Sequence, residues 1–77
     1  MWQSVTKEEF NLFIKNYPTK LIKEEVRICE PPVRFYRDES KNLEWPNDAV
    51  ARITYHEDMK GMTAYNGKLN SYEIKET

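Results

Sequence analysis

Histidine occurs once in the 77 residues, inside the run Tyr55-His56-Glu57-Asp58, and cysteine once, at Cys29. An imidazole beside two carboxylates is the equipment of a general base or a metal ligand. A zinc site takes three or four protein ligands, which one His and one Cys could reach only with carboxylates. No metal or other cofactor is therefore expected, and His56 reads as an exposed residue at a strand end. A thiolate–imidazole pair of Cys29 and His56 would be a nucleophile, yet nothing in the spacing brings them together, and a lone cysteine closing an apolar run is commonly a small core residue. The two glycines, Gly61 and Gly67, are too few for a phosphate-cradling loop. Glu8-Glu9, Glu24-Glu25 and Glu57-Asp58 are carboxylate pairs of the kind solvated faces commonly carry. A chain this short leaves little wall for a concave site once its core is built, so a non-catalytic protein is expected.

What remains is a surplus of rings beside arginines. Three Phe, five Tyr and two Trp make 13% of the chain aromatic. The runs Arg34-Phe35-Tyr36-Arg37 and Arg52-Ile53-Thr54-Tyr55-His56 place basic residues next to aromatics on strands, the layout with which a sheet stacks bases and holds phosphates. Charge opposes that use. Lys plus Arg number 12 against 13 Asp plus Glu, net −1, with Asp38, Glu39, Glu57 and Asp58 near the arginines and no basic arm or acidic tail. Tyr, Trp and Arg are also the residues enriched in protein-interface hot spots. The sequence thus predicts a small binding module whose site is Arg34, Tyr36, Trp45, Arg52, Tyr55 and His56, meeting a protein partner or its own copy. Single-stranded nucleic acid, held through Arg34, Tyr36, Arg52 and Tyr55, is the alternative. Against both stands the reading that large rings in a thin core act as half-buried lids.

The elements that would position these residues follow from pattern. Thr6 with Glu9 three residues later is a capping box, Val5 and Phe10 flank it as a staple, and Phe10, Phe13, Ile14 and Tyr17 recur at helical spacing until Pro18, which predicts a helix over 7–16. Residues 20–29 fit a strand or a helix, with β-branched content favouring the strand, and Pro31-Pro32 end the element either way. Val33 to Arg37 alternates with Val33 and Phe35 inward and Arg34 and Tyr36 outward. Asp38–Asn42 and Trp45–Asp48 read as turns, the second with proline at the position a type I or II turn prefers. Ala49 to His56 alternates again, with Ala49, Ala51, Ile53 and Tyr55 on one side and Val50, Arg52, Thr54 and His56 on the other. Asn66-Gly67 predicts a type I′ hairpin pairing Gly61 with Tyr72, Lys60 with Glu73 and Met59 with Ile74.

The expected fold is a single α+β domain: one N-terminal helix on a three- to four-stranded antiparallel sheet, a meander ending in the Asn66-Gly67 hairpin. Its core would be Phe10, Phe13, Ile14, Ile22, Val26, Ile28, Val33, Phe35, Ile53, Leu69 and Ile74. Trp2, Tyr36, Trp45, Tyr55 and some of Tyr65 and Tyr72 would stay partly outside. One short helix cannot cover such a sheet, so the other face must meet water or a partner. No apolar run approaches the ~18 residues of a membrane span and no signal-peptide order is visible, so no membrane partner is expected; a lone cysteine agrees with a reducing cytoplasmic setting.

Overall fold

A computed structural model of the chain describes residues 1–27, 31–56 and 70–75. In chain order the elements are β1 (Trp2–Val5), α1 (Lys7–Lys15), β2 (Ile22–Val26), β3 (Val33–Arg37), a 3-10 turn (Glu39–Lys41), β4 (Ala49–Tyr55) and β5 (Asn70–Lys75). The protein is α+β, with one helix and an antiparallel sheet of five strands among the described residues, ordered β1-β5-β4-β3-β2. The expectation of three or four strands fell short because Trp2-Gln3-Ser4-Val5 carries no alternating apolar pattern; its pairing with β5, Val5 opposite Tyr72 and Trp2 opposite Lys75, makes it a strand. Residues 22–26 are a strand, as their β-branched content suggested. Ile28, Cys29, Leu69 and the Asn66-Gly67 hairpin lie outside the described residues.

The helix begins where the capping box placed it. The Glu9 N–H donates to Thr6 Oγ1 at 3.1 Å and the Thr6 N–H donates to Glu9 Oε1 at 2.9 Å, which holds the Glu9 carboxyl below its usual range. Because β1 and β2 are the two edges of the sheet, the chain must cross it between them. Four strand spacings amount to roughly 19 Å, more than nine residues of helix span at ~1.5 Å each. Residues 16–21 complete the crossing. α1 therefore runs over one face only, and that face holds the core.

That core is built from tyrosines. Phe10, 1% exposed, meets the rings of Tyr36 and Tyr72 with centroids 5.5 and 5.4 Å away, and Ala51, Ile53 and Tyr55 complete the buried cluster. Val5, Phe13, Ile14, Leu21 and Ile74 pack against it, partly buried. Burial of Ala51, Ile53 and Tyr55, with Arg52 and Thr54 between them only half-buried, follows the predicted alternation of β4; Val50, expected on the other side, is buried as well, where the β3–β4 register shifts between Tyr36 and Arg37. The assignment of β3 is reversed. Tyr36 lies opposite Ala51 and Arg34 opposite Ile53, and residues opposite each other in an antiparallel ladder point to the same side. Tyr36 is thus carried into the core, while Val33 and Phe35 turn to the other face. Tyr55 and Tyr72 are buried for the same geometric reason, and Ile22, expected inside, is exposed at the edge. A thin core under one helix suits tyrosine, whose ring fills space while its hydroxyl reaches the rim.

β5 occupies the centre of the β1/β4 gap, so Tyr72, Glu73 and Ile74 pair with Ile53, Arg52 and Ala51 on one side and with β1 on the other. The expected pairings of these three residues with Gly61, Lys60 and Met59 fall on residues 59–61, outside the described residues. Among the described residues the complementary charge for Glu73 is Arg52.

The loop from Asp38 to Asp48 is fastened to the helix end by a single carboxylate. Asp38 accepts from Tyr17 Oη at 2.6 Å, Thr19 Oγ1 at 3.1 Å, and the N–H and Oγ of Ser40 at 3.0 and 2.5 Å. Residues 45–48 form a turn, as the sequence suggested, but the proline is not second in it: the Asn47 N–H donates to the Glu44 carbonyl at 2.7 Å across a cis Trp45–Pro46 bond and the Ala49 N–H to the Pro46 carbonyl at 3.1 Å, so the proline is third in one bonded turn and first in the next. The donors around Asp38, Ser40 first and Tyr17 next, hold its carboxyl down at about 2, and burial together with the Asp38 charge pushes the Tyr17 hydroxyl up to about 12. Both shifts favour the folded state across neutral pH. The Asp38 contribution is complete above its unfolded value of about 4 and is lost as pH falls toward about 2. The Tyr17 contribution is complete below its unfolded value of about 10 and is lost as pH rises through about 12. Melting temperature measured against pH should therefore be level from about pH 5 to 9 and fall at both ends. Tyr17→Phe should flatten the alkaline limb; an unchanged limb would show that this hydroxyl adds nothing to stability.

Candidate functional site

Alternation along four strands assigns the open face. Trp2 and Ser4 of β1, Glu73 and Lys75 of β5, Arg52, Thr54 and His56 at β4, and Val33 and Phe35 of β3 point away from α1. One ladder row runs Phe35, Arg52, Glu73, Ser4, each directly opposite the next. Aromatic rings stand at both ends of the Arg52–Glu73 centre. On one side the Arg52 guanidinium lies 4.2 Å from the centroid of the Trp2 ring, with Lys75 Nζ at 5.8 Å from the same ring. On the other side Trp45, 43% exposed, meets Phe35 edge-on with centroids 5.6 Å apart.

The arginines of this face are paired. Arg52 grips Glu73 in a two-point contact, Nε to Oε1 at 2.8 Å and Nη2 to Oε2 at 3.1 Å. Arg37 donates from Nε and contacts through Nη2 the Oδ2 of buried Asp48, at 3.0 and 2.9 Å, and reaches Glu24 at 3.8 Å. At the end of β4, His56 Nε2 lies 2.7 Å from Ser71 Oγ. Rings flanked by ion pairs of both signs make a surface that is patterned yet close to neutral.

Of the six residues singled out by sequence, Trp45, Arg52 and His56 belong to this face and its border. Arg34, Tyr36 and Tyr55 do not. Tyr36 and Tyr55 are 8% and 7% exposed beneath the helix layer, as lids of the core. Arg34 lies at the rim of that layer, its guanidinium 5.6 Å from the centroid of Tyr55 and its Nε donating to Glu25 at 2.8 Å. Glu25 also accepts from Arg27 at 2.7 Å, and these donors, Arg34 foremost, hold its carboxyl below the usual range. The four residues of the nucleic-acid alternative are thus split between opposite faces of the sheet.

No family model, curated protein or solved structure matches the chain. The open face must therefore be read from its own chemistry. Sequence reasoning placed Phe35 in the core and left Trp2, Glu73 and Lys75 out of the site. The signal that recovers Phe35 is the register from Ala51, whose side is unambiguous. For Trp2 the signal is the absence of charge in Trp2–Val5, which permits a strand.

Among the described residues no group of three or more His, Cys, Asp or Glu is arranged to hold a metal ion, and no helix is long and apolar enough to cross a membrane. The groove beside α1, about 730 Å³, is lined mainly by Val5, Leu12, Phe13 and Ile74, with Gln3, Glu9 and Tyr17 among its polar groups.

Proposed function

We propose that the protein is a non-catalytic binding module whose open sheet face, Trp2, Phe35, Trp45 and Arg52 with His56 at its border, docks on a protein surface. The observation that carries the reading is the neutralisation of Arg52 by Glu73 and of Arg37 by Asp48 and Glu24 within a set of exposed and half-buried rings. A groove that follows a phosphate backbone needs cations free to replace counterions, and here those carboxylates hold Arg37 and Arg52. A partner that buries rings flanked by satisfied ion pairs needs no excess of either sign. The partner surface this face fits offers apolar and aromatic groups at its centre and polar groups at its margin.

Trp45→Ala combined with Phe35→Ala is expected to weaken capture of the partner roughly thirtyfold, the loss of a hot spot of about 2 kcal/mol. Circular dichroism should remain unchanged, because the core lies on the other side of the sheet. The comparison is a quantitative affinity purification with both proteins, followed by titration of whatever only the unmodified protein retains. Salt-dependent binding of a single-stranded oligonucleotide, lost in Arg52→Ala, would replace this reading with the nucleic-acid one.

A further inference from the structure

We infer that β1 is a self-association edge, at which two copies of the chain join their sheets through antiparallel β1–β1 pairing. This inference concerns the hydrogen-bonding edge of β1, which shares Trp2 with the open face, and it does not depend on what that face docks on. The two edges of the sheet are built differently. β2 carries Lys23, Glu24 and Glu25 among its five residues, and charges along an edge oppose the addition of another strand. β1, Trp2-Gln3-Ser4-Val5, carries none, and its outer side has no strand beside it among the described residues.

The surroundings of β1 specify the occupant. Over this edge, on the helix side, lies the 730 Å³ groove, with Gln3 and Val5 in its floor and Glu9, Leu12, Phe13 and Asn16 in its wall; Leu12 is 57% exposed. A four-residue ladder buries too little to hold two chains, since stable interfaces remove on the order of 1,000 Å² or more from water. The added strand must bring an apolar layer on the helix side as well, and a second copy does so with its own Leu12 and Phe13.

The symmetry is self-consistent. A two-fold axis perpendicular to the sheet at Gln3 sets Gln3 against Gln3 and Trp2 against Ser4 of the second copy. Each pair then points to one face, as an antiparallel ladder requires. A side-chain amide is both donor and acceptor, so two Gln3 side chains are complementary to one another. The same axis makes the two helices antiparallel. The acidic first turn, Glu8 and Glu9, of one copy is then directed toward the end where the other carries Lys15, a charge complementarity already present in each helix.

Sedimentation equilibrium of the full chain up to roughly 1 mM should show a concentration-dependent rise from 9.3 kDa toward twice that mass. Gln3→Lys, which sets like charges against each other on the axis, and Leu12→Glu should each weaken dimerisation at least tenfold, while Trp45→Ala leaves it unchanged. Hydrogen exchange should show those amides of residues 2–4 that point away from β5 becoming more protected as concentration rises. A chain that stays at 9.3 kDa throughout overturns the inference. So does a dimer indifferent to both substitutions, which would use another surface, or a monomer whose β1 edge binds an extended peptide instead. Should Leu12→Glu perturb the fold, Gln3→Lys and the exchange data decide.

Discussion

Phe10→Ala is expected to remove most of the stability of the fold. Phe10 is the one helix residue fully buried, and it touches Tyr36 of β3 and Tyr72 of β5, which lie on either side of β4. Deleting a buried phenylalanine costs about 3–5 kcal/mol, the loss of transfer energy plus a cavity that neighbours fill only partly. Domains of this length hold roughly 4–12 kcal/mol in total. Three large rings that lean on a shared centre cannot close a gap by small shifts, so the upper half of that range applies. Thermal melting should drop by on the order of 20 °C, or the variant should be unfolded at 25 °C. Phe10→Leu, which keeps much of the volume, should lose far less. A Phe10→Ala protein that melts within a few degrees of the original would show that the helix is not what closes this core.

Arg37→Met is expected to be nearly as damaging, and more so than removing its partner. Asp48 is 1% exposed, and its Oδ2 is held by Arg37 while its Oδ1 has no hydrogen-bond partner. Taking the guanidinium away strands a carboxylate that already has an unsatisfied oxygen, at a cost of about 3–5 kcal/mol for a buried charge left alone. Arg37 itself reaches the surface and Glu24, so Asp48→Ser leaves a cation that water and Glu24 can still satisfy. The pair should therefore be asymmetric under urea unfolding, with Arg37→Met well below Asp48→Ser. Replacing the stranded carboxylate by an uncharged amide of the same shape should rescue part of the loss, so Arg37→Met with Asp48→Asn should be more stable than Arg37→Met alone. Equal losses for the two single variants would mean that Asp48 is hydrated in solution.

The legible parts of the fold were those where one local rule decides. The capping box, the helical run from Phe10 and the alternation from Ala51 stand in the structure as read, because each involves neighbours in sequence; only at Val50, where the ladder shifts register, does the alternation break. The face of β3 was not legible. Val33-Arg34-Phe35-Tyr36-Arg37 alternates equally well either way, and only the register with β4, a long-range fact, decides that Tyr36 goes inward. β1 was not legible because a four-residue strand at an edge needs little pattern of its own and takes its order from β5. The candidate site inherited both errors. Arg34 and Tyr36 depended on the register of β3 with β4, whereas Tyr55 shares the side of Ala51 and Ile53, so its burial was legible from β4 alone and its place in the site was at odds with that alternation. Alternation identifies two faces of a strand; only the partner strand tells which of them is wet.

The neighbourhood of β1 and β5 has a kinetic side. Because Trp2–Val5 completes its ladder only against residues 72–75, the first strand has no internal partner until almost the whole chain can take part. Hairpins such as β2–β3 are local and can form early, but closing the sheet joins its most distant segments, a step governed by loop-closure entropy. The strand order therefore makes completion of the fold a late, collective event, and until then Trp2-Gln3-Ser4-Val5 is an uncharged strand with both sides open.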